Sequence, residues 1–278
     1  MINYSYICTH VLTKNMDSFY IQRDGYQLFT KQIDRFPENI NKPALVFLHD
    51  SWGCNEMWGD FPDRMVELSG LNGLLYDRRG YGQSSPFAIT QRTEYYLHDE
   101  AHELMEVLDA CQIQNAVIYG HSDGATIALL AAALYPERIK GLILEGAHSF
   151  IEDSGKAAVL ETRERAKETS LLASLGKYHG DKTPELFRLW HETWLSDYFA
   201  AWTIVPLLAD ITCPVLAFQG EHDEFGSIEQ LKVLRKEIKA VVTIAEIAAA
   251  GHTPRKEAEE ETMEWVSGFF ENTVRSEE

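Results

Sequence analysis

The chain has 278 residues, 45% of them apolar and 24% charged, a balance ordinary for a globular fold of one or two domains. Its 25 Lys and Arg stand against 43 Asp and Glu, a net charge of −18 that argues against nucleic-acid and anionic-membrane partners, which need clustered cations. The amino-terminal stretch MINYSYICTHVLTKN has no basic region followed by an apolar one, and the most apolar helical run, Ala125 to Leu134, is far short of the roughly 18–20 residues of a membrane span. A cytoplasmic protein with no membrane partner is the expectation. The four cysteines, Cys8, Cys54, Cys111 and Cys213, show no metal-ligand spacing and read as free thiols.

In chain order, short apolar runs alternate with longer amphipathic ones. Ala44–Leu48, Gly73–Tyr76, Ala116–Tyr119, Gly141–Leu144, Pro214–Phe218 and Val241–Ile244 read as strands, and their near-continuous apolar character fits parallel strands covered on both faces. Helices are expected over about 56–69, 94–111, 123–134, 227–238 and 255–272; in the second, Leu97, Ala101, Leu104, Leu108 and Cys111 recur at steps of three and four and form one buried stripe. This alternation predicts an α/β fold with a parallel sheet. Between Phe150 and Val205 no strand is evident. That segment reads as a helical insert whose Trp190, Trp194, Tyr198 and Trp202, four apart, would share one aromatic face.

The chemistry is concentrated in Gly120-His121-Ser122-Asp123-Gly124, a G-x-S-x-G that follows a strand and precedes a helix. Glycines on either side allow a tight strand-to-helix turn that throws the serine hydroxyl outward. A serine needs a base, and the base needs an orienting acid. The strand PVLAFQ ends in Gly220-Glu221-His222-Asp223, which puts Asp223 at a strand's carboxyl end. After it the sequence contains a single histidine, His252, in the loop AAAGHTP. Ser122, Asp223 and His252 are therefore the candidate catalytic residues. For the developing oxyanion, the amide of Asp123 at a helix N-terminus is one donor. The other is the amide of Ser51 or Trp52 in the loop His49-Asp50-Ser51-Trp52-Gly53, with Trp52 preferred.

With these pieces the chain resembles the α/β-hydrolase superfamily over nearly its full length. The matching motifs are HDSWG for the oxyanion loop, Asp77-Arg78-Arg79-Gly80-Tyr81-Gly82-Gln83-Ser84 after the fourth strand, GHSDG for the nucleophile, GEHDE for the acid and GHTP for the base. The resemblance implies an eight-stranded, mostly parallel sheet flanked by helices, with residues 1–149 and 206–278 as the core and 150–205 as an inserted helical cap. It also implies a serine hydrolase without cofactor or metal, acting on a small molecule as a monomer or homodimer. Carboxylic esters are favoured, with lactones and thioesters close behind. C–C bond hydrolysis, a lyase reaction, amide or peptide cleavage, and a ligand-binding receptor with a near-silent triad are the alternatives. Serine at 122 disfavours relatives that use an aspartate nucleophile, such as epoxide hydrolases.

His49, Glu145, His148, Trp190 and Trp194 are candidates for lining the substrate pocket. Glu145, at the end of the strand GLIL, is also a substitute for Asp223 as the orienting acid. His98 and His102 lie four apart on one helix and mimic a metal-ligand pair, but Asp99 stands where zinc proteases carry glutamate. Asp123 is expected to complement the N-terminus of its helix, and Asp77 and Arg79 to brace their loop.

Overall fold

The computed structural model describes residues 17–273, so Cys8 lies outside the described residues. Eight strands form one sheet in the order β1-β2-β4-β3-β5-β6-β7-β8. These are β1 (Asp17–Arg23), β2 (Tyr26–Ile33), β3 (Ala44–Leu48), β4 (Gly73–Tyr76), β5 (Ala116–His121), β6 (Ile139–Glu145), β7 (Val215–Gly220) and β8 (Val242–Ile247). Pairing is antiparallel for β1 with β2 and for β2 with β4, and parallel across the rest. The six expected strands are present. The hairpin of β1 and β2 carries a turn signal, Asp24-Gly25 with Gly25 at φ +78°; Ile21 and Leu28 pair across it and bury in one core layer, whereas Ile33 buries in the other.

Along the central strands, successive side chains feed opposite layers. Ala44, Val46 and Leu48 face one apolar cluster with Ala116 and Ile118, while Leu45 and Phe47 face the other with Val117 and Tyr119. The helices α1 (Phe61–Ser69), α2 (Tyr96–Ala110) and α3 (Asp123–Leu134) precede the insert; α7 (Ile228–Glu237), α8 (Pro254–Glu257) and α9 (Glu259–Thr273) follow it. α1 and α9 cover one face, and α2 and α3 the other. α3 is sandwiched so completely that Ile127, Leu129 and Leu130 are all fully buried, each contributing roughly 1.5–3 kcal/mol. The helix expected over 56–69 is broken by Gly59 at φ +63°, which separates a 3-10 turn (Asn55–Trp58) from α1.

Between β6 and β7 lie α4 (Asp153–Arg165), α5 (Leu171–His179) and α6 (Thr183–Trp194). The expected aromatic stripe does not continue along one helix, because α6 ends at Trp194. Tyr198 is exposed, whereas Trp202 stacks on Phe199 at 5.0 Å and approaches Trp194 at 6.4 Å, so it joins the cluster through a turn. Cys54 and Cys213 are free thiols, both buried. Among the described residues no helix is long and apolar enough to cross a membrane.

Candidate active site

β3, β5, β6, β7 and β8 run parallel, so the loops after their carboxyl ends share one edge of the sheet. Ser122 sits between β5 and α3 at φ +55° and ψ −118°, a backbone conformation that a non-glycine residue adopts only under constraint. The constraint is visible. Ser122 N–H donates to the Glu145 carbonyl (2.8 Å), and the Ser122 carbonyl accepts from the amides of Ala125 (2.9 Å) and Thr126 (3.1 Å). A Cβ on Gly120 would run into the Gly124 carbonyl, and one on Gly124 into the carbonyls of Leu48 and His49. Those two glycines let the turn close on itself and on the loop after β3.

The three residues singled out for catalysis come together from three loops. His252 Nε2 lies 2.9 Å from Ser122 Oγ, and His252 Nδ1 lies 2.8 and 2.9 Å from the two oxygens of Asp223. Nδ1–H donates to the carboxylate, which leaves Nε2 as the acceptor for the serine proton. Asp223 is held in turn by the Phe225 amide (2.9 Å) and Gln219 Nε2 (3.2 Å). Burial pushes the Asp223 carboxyl up, but the charge and hydrogen bond of His252 prevail and hold it below the usual carboxylate value. Burial pushes His252 down, and here too the Asp223 charge prevails, so the imidazole titrates above its ordinary 6.5.

The loop after β3 is tightly organised. Asp50 Oδ1 accepts the Trp52 amide at 2.8 Å, and Asp50 Oδ2 lies 3.3 Å from His121 Nδ1. The other His121 nitrogen, Nε2, donates to the His252 carbonyl (2.9 Å), so one side chain joins the loop after β3, the Ser122 turn and the His252 loop. Trp52 N–H is therefore engaged inside the loop. Ser51 N–H and Asp123 N–H have no hydrogen-bond partner among the described residues.

A cavity of about 510 Å³ opens over Ser122 and His252. Val159, Leu171, Leu175, Tyr178, Trp190 and Trp194 of the insert form its apolar wall, with Trp52 against Trp190 at 4.5 Å. His148, Trp190 and Trp194 thus line the cavity as expected from sequence. His49 and Glu145 do not. His49 is buried beneath the loop, where its Nε2 accepts the Arg78 amide (3.2 Å) and its ring lies 4.8 Å from Tyr81. Glu145 is fully buried and pairs with Arg255, accepting from the Arg255 amide at 2.9 Å and from its guanidinium. His252 takes its partner from Asp223, and Glu145 is committed elsewhere. Asp123 is also fully buried; its Oδ2 accepts from Tyr96 at 3.3 Å and its side chain stays off the cavity wall. His102 bonds the Tyr135 hydroxyl at 2.5 Å, outside the site.

Several working parts of this edge escaped the sequence reading: Asp50, His121, Arg255 and His179. His179, at the end of α5, accepts the Gly82 amide on Nδ1 (2.9 Å) and donates from Nε2 to the Trp52 carbonyl (2.7 Å). Lys182 adds a bond to the Gly82 carbonyl (2.6 Å). The insert is thereby pinned to the loops after β3 and β4. Only the fold places these partners side by side, so no local pattern could flag them.

A model of the alpha/beta hydrolase family matches residues 45–265. The chain belongs to that family. It is a hydrolase. Serine hydrolase BPHL of Mus musculus is 30% identical over 195 residues, 65% of this chain and 63% of the relative, so the match spans less than two thirds of that protein. Epoxide hydrolase B of Mycobacterium tuberculosis (strain ATCC 25618 / H37Rv) is 29% identical over 109 residues, 38% of this chain and 29% of that one. Among solved structures, a serine hydrolase from the polyaromatic-hydrocarbon-degrading bacterium Cycloclasticus zankles superposes with a TM-score of 0.74 at 18% identity, over 92% of this chain and 98% of that one, a likeness of fold.

Proposed function

We propose that this alpha/beta hydrolase is a serine hydrolase of small carboxylic esters, with lactones and thioesters in its range, and that residues 150–205 cap its site. The observation that carries this reading is the unbroken line from Ser122 Oγ to His252 Nε2 (2.9 Å) and from His252 Nδ1 to Asp223 (2.8 Å). In this reading His252 takes the Ser122 proton as Oγ attacks the ester carbonyl carbon. The tetrahedral oxyanion is met by the amides of Asp123 and Ser51; Ser51 is preferred to Trp52 because the Trp52 amide is already bonded to Asp50. As the intermediate collapses, His252 returns the proton to the departing alcohol. Water then enters, gives a proton to His252 and attacks the acyl-enzyme; as that intermediate collapses, His252 passes the proton to Ser122 Oγ, which releases the acid and regenerates the serine. A serine rather than a carboxylate at 122 separates this chemistry from that of the epoxide hydrolase relative. The apolar wall suits a small, apolar acyl or alcohol group.

The direct test is intact mass after exposure to a fluorophosphonate, on the wild type beside Ser122→Ala. A single adduct on the wild type and none on the variant is expected; no adduct on either protein would point to a ligand-binding protein with a silent triad. The pH dependence offers an independent check. His252 acts as a base only when neutral, and its titration lies above the ordinary 6.5, so activity is lost as pH falls through that raised value. The acid limb of kcat/KM for a p-nitrophenyl ester is expected above pH 6.5, and a limb well below it would contradict the pairing with Asp223.

A further inference from the structure

Arg78 lies after β4 and is fully buried, yet it forms no ion pair among the described residues, unlike Arg255 with Glu145. A desolvated cation without a paired carboxylate is costly, and its donors show where it is used. Nη2 donates to two successive carbonyls of the loop after β3, His49 (3.1 Å) and Asp50 (2.8 Å), while the guanidinium sits over the Tyr81 ring at 4.6 Å. His49 Nδ1 adds a second bond to the same Asp50 oxygen (2.8 Å). His49 is held neutral for this by burial first and by the Arg78 charge second, which together push its pKa well down.

In a trans peptide the carbonyl and the following N–H point in opposite directions. Donors fixed on the Asp50 carbonyl therefore turn Ser51 N–H to the other side. Ser51 lines the cavity beside Ser122, and its N–H is unpartnered. A cationic donor on the carbonyl oxygen also draws electron density through the peptide, which makes the opposite N–H a stronger donor.

We infer that Arg78 is a positioning residue for the oxyanion hole: it orients and polarises the Asp50–Ser51 peptide so that Ser51 N–H meets the negative charge that develops on the substrate carbonyl. The inference rests on the serine-hydrolase reading above. It makes Arg78 act on the transition state, through a peptide, without touching substrate.

The test uses the full chain as Arg78→Met and Arg78→Lys, with a p-nitrophenyl ester, a trifluoromethyl ketone as oxyanion-forming analogue, and fluorophosphonate labelling of Ser122. In Arg78→Met, kcat falls by about 10²-fold, KM stays within about threefold, and analogue affinity falls in parallel with kcat. Arg78→Lys recovers part of the loss, since an ammonium keeps the cationic donor for these carbonyls but lacks the planar guanidinium that holds Nη2 in place over the Tyr81 ring. A folded Arg78→Met enzyme with near wild-type kcat, or with unchanged analogue affinity, overturns the inference. Should Arg78→Met fail to fold, Arg78→Lys carries the same criterion, and wild-type kcat and analogue affinity there overturn it. A wild type that the fluorophosphonate does not label overturns the serine-hydrolase reading itself and this inference with it, whereas a labelled wild type beside an equally reactive Arg78 variant overturns this inference alone.

Discussion

Asp223→Asn is expected to lower kcat by about 10⁴-fold with KM little changed. The substitution keeps the size of the side chain, and Oδ1 can still accept the Phe225 amide, so the loop should hold its shape. What changes is the partner of His252 Nδ1. The carboxylate accepts Nδ1–H on either oxygen, at 2.9 and 2.8 Å, and so fixes the tautomer that leaves Nε2 free to take the Ser122 proton. An amide NH₂ in that place favours the opposite tautomer, in which Nε2 carries the hydrogen and cannot act as the base. Charge adds a second effect. The Asp223 carboxylate is what lifts His252 above its ordinary value against the effect of burial. Without it burial dominates, and the acid limb of the residual activity should move to lower pH. Steady-state kinetics across pH would measure both. A loss smaller than tenfold would mean that another group orients His252 and would remove Asp223 from the proposed mechanism.

The central sheet was legible because its strands are covered on both faces and are therefore almost wholly apolar; β3 reads Ala-Leu-Val-Phe-Leu and is buried at every position. β2 shows a mixed burial pattern, and its alternation is easily lost among Tyr26, Gln27, Thr30, Lys31 and Gln32. Only the resemblance to a family implied eight strands there. The turn that carries Ser122 was legible because its constraint is local: two glycines and a serine within five residues. Asp223 and His252, proposed as acid and base, stood out because strand order puts them after β7 and β8. Their surroundings are a different matter. Asp50 and His121 meet across 71 positions and Glu145 and Arg255 across 110, so nothing short of the folded sheet marks them as partners. The two pocket residues placed wrongly teach the same lesson. His49 and Glu145 both sit at strand ends on the functional edge, but strand-end position does not say which way a side chain turns. Each turns toward a buried arginine, His49 to Arg78 and Glu145 to Arg255.

Glu145→Gln is expected to destabilise the fold by about 3–5 kcal/mol while leaving kcat within about tenfold of the wild type, because removing one member of a buried pair strands the other charge. Arg255 has little else to turn to: its guanidinium lies over the Trp58 ring at 4.4 Å, and its Nε has no partner. Burial pushes the Glu145 carboxyl up, but the Arg255 charge outweighs it and keeps the group ionised below its ordinary value, so the pair is a true ion pair at neutral pH. Its task is structural. Arg255 is the second residue of α8, three after His252, and its amide and guanidinium both reach Glu145 at the end of β6, which ties the His252 loop to the sheet. Tyr119 completes the arrangement with a 3.2 Å bond to Glu145 Oε2. Urea unfolding of Glu145→Gln beside Glu145→Leu/Arg255→Met separates the two contributions. The double variant leaves no stranded charge and should recover a large part of the stability lost by the single one. Kinetics of the single variant settle the other question. A fall in kcat matching that of Asp223→Asn would make Glu145 the orienting acid after all, whereas lost stability with most turnover retained assigns the two carboxylates to different tasks, Asp223 to the imidazole and Glu145 to the loop that carries it.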